Sequence, residues 1–259
     1  MRPVLQVALD LMHLKRALEI ATEAVSGGAD WLEAGTPLIK SEGSDVLRQL
    51  KRAFPGHVIV ADMKTMDVGS VEVEIAAKAG ADVVSVMGLA DDGTIREAVL
   101  SARQYGAGIM VDLIGVGDKV ARARRAEELG ASYVCLHVGI DEQMKGGAAP
   151  VDVVRNVARA VSVPVAVAGG ITSESAPELM AAGASIVIVG GAIIKDRDVT
   201  GATRRVKEAM SSGKGIAAEM SRKYAESELF VALSKASTCN IADAMHKAGV
   251  MVGIRPRSA

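Results

Sequence analysis

The sequence predicts a closed (β/α)8 barrel, on three observations. Eight short runs rich in Val, Ile, Leu and Ala recur at intervals of roughly 22–31 residues, about the length of one βα unit. The runs are nearly continuous in apolar residues, as strands covered on both faces must be. A Gly-Ala pair leads into the next run at 28–29, 80–81, 130–131 and 183–184, where a glycine with positive φ would close the preceding helix. Eight such units with right-handed crossovers suggest a closed barrel. An open doubly wound sheet fits the same pattern, because strand order cannot be read from a sequence.

Taken in order, VLQVAL (4–9) is the first strand and ends at Asp10. LKRALEIATEAVSGG follows as an amphipathic helix closed by glycine. ADWLEA (29–34) carries Glu33. HVIVAD (57–62) runs into Asp62-Met63-Lys64-Thr65-Met66-Asp67, and VEVEIAAKAGA is its helix. DVVSVM (82–87) and GIMVDL (108–113) come next, the latter carrying Asp112. KVARARRAEELGA is helical, and SYVCLH (132–137) ends at His137. VPVAVA (163–168) opens into Gly169-Gly170, SAPELMAAGA is helical, and SIVIVG (185–190) opens into Gly190-Gly191. The pattern then breaks. KDRDVTGATRRVKEAM (195–210) is followed by a Ser-Ser-Gly-Lys-Gly hinge at 211–215 and helix-like text at 217–235 and 240–249. Residues 1–210 therefore read as the barrel, and 211–259 as a linker and short helical C-terminal extension.

Composition narrows the function. In 259 residues, 30 Lys and Arg balance 31 Asp and Glu, so no broad attraction to nucleic acid or an anionic membrane is expected. Aromatics are 2%, too few for a base-stacking platform. The two cysteines, Cys135 and Cys239, make no disulfide scaffold, and a reducing cytoplasmic setting is the expectation. The N-terminus lacks the pattern of a signal peptide, and no uncharged apolar stretch approaches the roughly 18 residues of a membrane span.

Barrel chemistry sits at the C-terminal strand ends, and polar residues collect there. Asp62 and Lys64 share parity and are expected on one face of strand three. A structural ion pair is the plain alternative, but such pairs contribute little net stability. Glu33 is either an exposed loop charge or, with Asp62 and possibly Asp10, a source of hard oxygen ligands for Mg²⁺. His137 at a strand end could carry a proton near neutral pH. Gly169-Gly170 and Gly190-Gly191 follow the last two strands, where barrels bind phosphate through backbone N–H groups. The Arg122–Arg125 run reads as a solvated helix face, and the 12 methionines read as core filler.

The pattern DxK…D at Asp62, Lys64 and Asp67 resembles the signature of the orotidine-monophosphate decarboxylase suprafamily. LQVALD, DWLEAGTPLIKSEG, ADMKTMDVG, VSVMGLADDGTI, CLHVGID, VAVAGGIT and IVIVGGAII, taken together, resemble its 3-hexulose-6-phosphate synthases. The resemblance covers about residues 1–210. It implies reversible joining of formaldehyde and ribulose 5-phosphate through an Mg²⁺-stabilised enediolate. Glu33 and Asp62 would hold the metal, His137 would take the C1 proton, and Lys64 would stabilise the enediolate. Asp67 would orient Lys64 or a substrate hydroxyl. Asp10, Gly169, Gly170, Gly190 and Gly191 would bind substrate. It also implies a homodimer whose Asp67 enters the neighbouring subunit's site.

Orotidine-monophosphate decarboxylases usually carry Lys where this chain has Glu33. The related keto-gulonate-phosphate decarboxylases tend to carry Arg after the strand-six His and after the last glycine; here those places hold Val138, Gly139 and Ala192. Such a decarboxylase remains the enzymatic alternative, and a non-catalytic sugar-phosphate-binding barrel the non-enzymatic one. The tail resembles the opening of an RraA-like domain, which would need on the order of 100 further residues to form a core. No activity is carried over from it.

Overall fold

The computed structural model describes residues 3–139 and 151–217. The tail expected to resemble an RraA-like opening, with the helix-like text read there, lies outside those residues from 218 on. Eight strands form one closed, all-parallel barrel in sequential order. They are β1 (Val4–Leu9), β2 (Trp31–Ala34), β3 (Val58–Thr65), β4 (Val83–Met87), β5 (Gly108–Asp112), β6 (Tyr133–His137), β7 (Val165–Ala168) and β8 (Ile186–Val189). Every expected run is a strand, and β8 pairs with β1 in register Val4↔Ile186 to Val7↔Val189, which removes the open-sheet alternative.

Alternation within each strand sorts the core in two. Outward residues such as Leu5, Val7, Leu32, Ile59, Val84 and Val187 pack under the helices. Inward residues, among them Val4, Ala8, Trp31, Val60, Met110, Cys135, Ala166 and Ile188, fill the barrel. Trp31 and Tyr133 meet edge to face at 5.5 Å across that interior.

The helices are α1 (Leu14–Ser26), α2 (Thr36–Glu42), α3 (Asp45–Ala53), α4 (Gly69–Lys78), α5 (Asp92–Tyr105), α6 (Lys119–Glu128), α7 (Val151–Ala160), α8 (Ala176–Ala181), α9 (Gly191–Ile194) and α10 (Val199–Ser212). Four end as the glycine pattern predicts. Gly28, Gly80, Gly130 and Gly183 take φ of 100°, 104°, 96° and 113°. The alanine after each returns its N–H to a carbonyl five residues back, as in Ala81 to Ala76. The residue opening the next strand also ties down its predecessor: Asp30 accepts from the Leu5 N–H and Asp82 from the Ile59 N–H, both at 2.7 Å. These ties lie at the N-terminal end of the barrel, leaving the other rim for chemistry.

Two expectations need correction. The hinge at 211–215 begins later, because Ser211 and Ser212 belong to α10, which closes at Gly213 with φ 68°. The Arg122–Arg125 run is not simply solvated. Arg122 is largely covered and donates to the carbonyls of Gly88 and Ala90 and to Asp92, clamping the β4–α5 turn onto α6.

Candidate active site

Parallel closure brings the C-terminal strand ends to one rim. Asp10, Glu33, Asp62, Lys64, His137, Gly169, Gly170, Gly190 and Gly191 line a single cavity there of about 290 Å³. Thr36, Ile114 and Gly139 complete much of its wall.

Lys64 reaches the cavity by an unexpected route. Between Ala61 and Thr65 the β3–β4 register shifts, and Lys64 adopts a left-handed φ of 48°, a strained setting for a residue with a Cβ. Its N–H donates to Ser85 Oγ at 3.1 Å. Its ammonium lies 3.0 Å from both Asp62 and Asp112. Burial alone would lower the Lys64 pKa, but these two carboxylates outweigh it and hold the group above its ordinary value. Lys64 is thus held between two carboxylates, a setting that favours the cation over the free amine a Schiff-base nucleophile needs.

Asp112 is the residue to which the sequence assigned no role. It ends β5, is almost fully buried, and shares Oδ2 between Lys64 and His137 Nδ1, the latter at 2.9 Å. Oδ1 accepts from the Ile114 N–H at 2.9 Å. Burial pushes its pKa up, but the His137 hydrogen bond, the His137 charge and Lys64 bring it below the ordinary carboxylate value. An ionised Asp112 fixes the proton of His137 on Nδ1 and leaves Nε2 as the acceptor. The signal in the sequence was parity: Asp112 ends its strand as Asp62 ends the apolar part of β3.

Asp62 is anchored by Ser85 Oγ at 2.8 Å and Thr36 Oγ1 at 2.7 Å, in addition to Lys64. Glu33 is nearly fully buried. Burial first, then the charges of Asp62 and Asp10, push its pKa well above the ordinary value. Asp10 is raised too, by burial and Asp62. Asp10 approaches so closely that a Cβ on Gly35 would stand 2.3 Å from its Oδ1. After β7, Gly169 and Gly170 take φ of 106° and 65°, and a Cβ on Gly169 would collide with the Val138 carbonyl at 2.3 Å. These glycines keep backbone, not side chains, against the cavity.

The donor set fits a hard divalent cation. Lys64 compensates Asp62 and Asp112, while Glu33 and Asp10 receive no ion pair among the described residues. Nor does any group of three or more His, Cys, Asp or Glu among those residues form a ready-made ligand set. Mg²⁺ takes one or two protein carboxylates and completes its shell with water and substrate oxygens, so its binding does not require such a set.

Asp67 is not brought into this cavity. It is exposed after β3, and its Oδ1 accepts from the Val68 N–H at 2.7 Å. Lys64 is oriented within the chain by Asp62 and Asp112 instead. Methionines are not all core filler either: Met12 and Met66 are more than half exposed.

A barrel whose C-terminal rim gathers buried acids, an ion-paired lysine and a histidine around one cavity defines an enzyme of the (β/α)8 class. Residues 3–206 match the model of the orotidine 5'-phosphate decarboxylase / HUMPS family, and the chain belongs to that family. A 3-hexulose-6-phosphate synthase of Mycobacterium gastri is 43% identical over 207 residues, 80% of this chain and 99% of the relative. One from Bacillus subtilis is 36% identical over 211 residues, 81% and 99% of the respective chains. A crystal structure of 3-hexulose-6-phosphate synthase superposes with a TM-score of 0.77 at 43% identity, over 80% of this chain and 99% of that one. A crystal structure of KGPDC from Streptococcus mutans gives 0.75 at 28% identity, over 81% and 98%.

Proposed function

We propose that the chain is a 3-hexulose-6-phosphate synthase, joining formaldehyde and ribulose 5-phosphate reversibly. The observation that carries this reading is one cavity lined together by Asp10, Glu33, Asp62, Lys64 and His137, the last two joined through Asp112, and by the glycine turns after β7 and β8. Backbone N–H groups around Gly169, Gly170, Gly190 and Gly191 hold the phosphate, which sets the register of the reacting end. Nε2 of His137 takes the proton from C1, and Lys64 stabilises the enediolate charge as it develops. C1 then bonds to the formaldehyde carbon, and the formaldehyde oxygen takes the proton back from His137. Asp10 binds a substrate hydroxyl. Mg²⁺ held by Glu33 and Asp62 would supply the electrophile that a free lysine amine would supply in a Schiff-base aldolase.

The test is formaldehyde consumption in the presence of ribulose 5-phosphate and Mg²⁺. Turnover that a chelator abolishes and Mg²⁺ restores is expected. CO₂ release from a 3-keto-gulonate 6-phosphate, with no formaldehyde consumption, would replace the synthase by the decarboxylase suggested by the KGPDC neighbour. Tight sugar-phosphate binding without turnover of either would leave a binding barrel.

The reading includes a homodimer that shares its sites. Met66, Val68, Val71 and Ile75, on the turn after β3 and on α4, are each about half exposed, and Asp67 stands between the first two. An apolar patch of this kind is what a partner surface covers. Single variants Lys64→Ala and Asp67→Ala are expected to be inactive alone. In mixed dimers one of the two sites is intact, so an equimolar mixture should regain about a quarter of wild-type activity. No recovery in verified mixed dimers would remove the shared site. The setting proposed is cytoplasmic; no helix among the described residues is long and apolar enough to cross a membrane.

A further inference from the structure

Gln6 lies in the middle of β1 and faces the barrel interior, with the same parity as Ala8 and Asp10. It has no exposed surface. A buried amide costs free energy wherever its groups go unpaired, and Val, Leu or Met would fill this space without that cost. Gln6 is only half satisfied. Nε2 donates to Glu33 Oε2, while Oε1 has no hydrogen-bond partner among the described residues. With Glu33 ionised, as a metal ligand must be, the reverse amide orientation would set two acceptors against each other. The fold thus keeps an orphaned acceptor together with one donor aimed at Glu33.

That donor is the one hydrogen bond that Glu33 receives among the described residues. Packing does not replace it. A small chamber of about 20 Å³ lies below the main cavity, and Gln6, Glu33, Asp62, Ser85 and Asp112 are among its lining residues. The packing on that side is therefore incomplete, and the Gln6 hydrogen bond is the directional contact that fixes the Glu33 carboxyl.

We infer that Gln6 is a positioning residue for the metal site: its amide pins Oε2 of Glu33 and so presents Oε1 to a divalent ion. This rests on the metal-dependent reading above. Partners behind a metal ligand typically set 10–100-fold in affinity. Gln6→Met keeps length and volume and removes the donor. Mn²⁺ binding to the substrate-free chain, followed by its electron paramagnetic resonance signal, should weaken about 10–100-fold. The melting temperature in chelator, read alongside, gives the stability cost of leaving buried Glu33 without its donor, separately from metal affinity. Gln6→Asn, which keeps the amide but withdraws it by one methylene, should lose affinity similarly.

Wild-type Mn²⁺ affinity in both variants would overturn the inference and leave the metal reading standing. A fall in melting temperature with unchanged affinity would reduce Gln6 to a packing residue. A wild-type chain that binds no Mn²⁺ would instead remove the metal reading, and this inference with it.

Discussion

Asp112→Asn is expected to slow exchange of the C1 proton of ribulose 5-phosphate by about 10⁴-fold while leaving the barrel folded. The size follows from the tautomer effect established for Asp–His pairs, where the wrong imidazole tautomer costs about that factor. Asp112 Oδ2 serves two donors, the Lys64 ammonium and His137 Nδ1. Oδ1 of the native residue accepts from the Ile114 N–H, and an asparagine that keeps this bond with its oxygen sets its amide nitrogen in the place of Oδ2, against both donors. Nδ1 must then accept, the ring proton moves to Nε2, and the nitrogen facing the substrate has no lone pair with which to take the C1 proton. Exchange followed by NMR in deuterated water, with circular dichroism as the fold control, measures the effect. A rate within tenfold of wild type would assign the base elsewhere. His137→Asn should show a comparable loss.

Asp112 also marks how far the sequence carries. The strands are visible because burial on both faces leaves a local mark, and the helix ends are visible because a left-handed glycine followed by alanine is local too. Asp62 and Lys64 are expected in one place and found there, but the expected reason is incomplete. Simple alternation does not deliver Lys64; a register shift and a left-handed residue do. The role of Asp112 depends on the ends of β3, β5 and β6 converging across the barrel mouth, with β4 between the first two, which no window of sequence encodes. Gln6 is hidden more thoroughly, inside a run that reads as apolar strand. Asp67 marks another boundary. It carries the family signature yet lies outside the cavity of its own chain, and only a second chain could give it a partner there.

Glu33→Gln is expected to abolish turnover and, in the absence of metal, to raise stability. Both effects come from the same burial. Glu33 is a carboxylate placed among Asp62 and Asp10 where water is scarce, and its pKa stands well above the ordinary value for those reasons. An acid whose folded-state pKa is raised destabilises the fold once it ionises. The cost is fully present above the folded-state pKa and disappears as pH falls toward the unfolded value. Glutamine removes the charge, and its side-chain oxygen can still accept from Gln6. At neutral pH in chelator, the gain should be on the order of 1 kcal/mol, roughly 2–4 °C in Tm for a chain of this size. The gap between variant and wild type should widen in alkali and close in acid. Added Mg²⁺ should reverse the order, because only wild type then gains binding free energy. Scanning calorimetry across pH, with and without Mg²⁺, separates the two signs. If Glu33→Gln melts lower than wild type in chelator, Glu33 supports the fold in its own right. The buried acids would then not be a charge cluster whose cost is offset only when a cation binds.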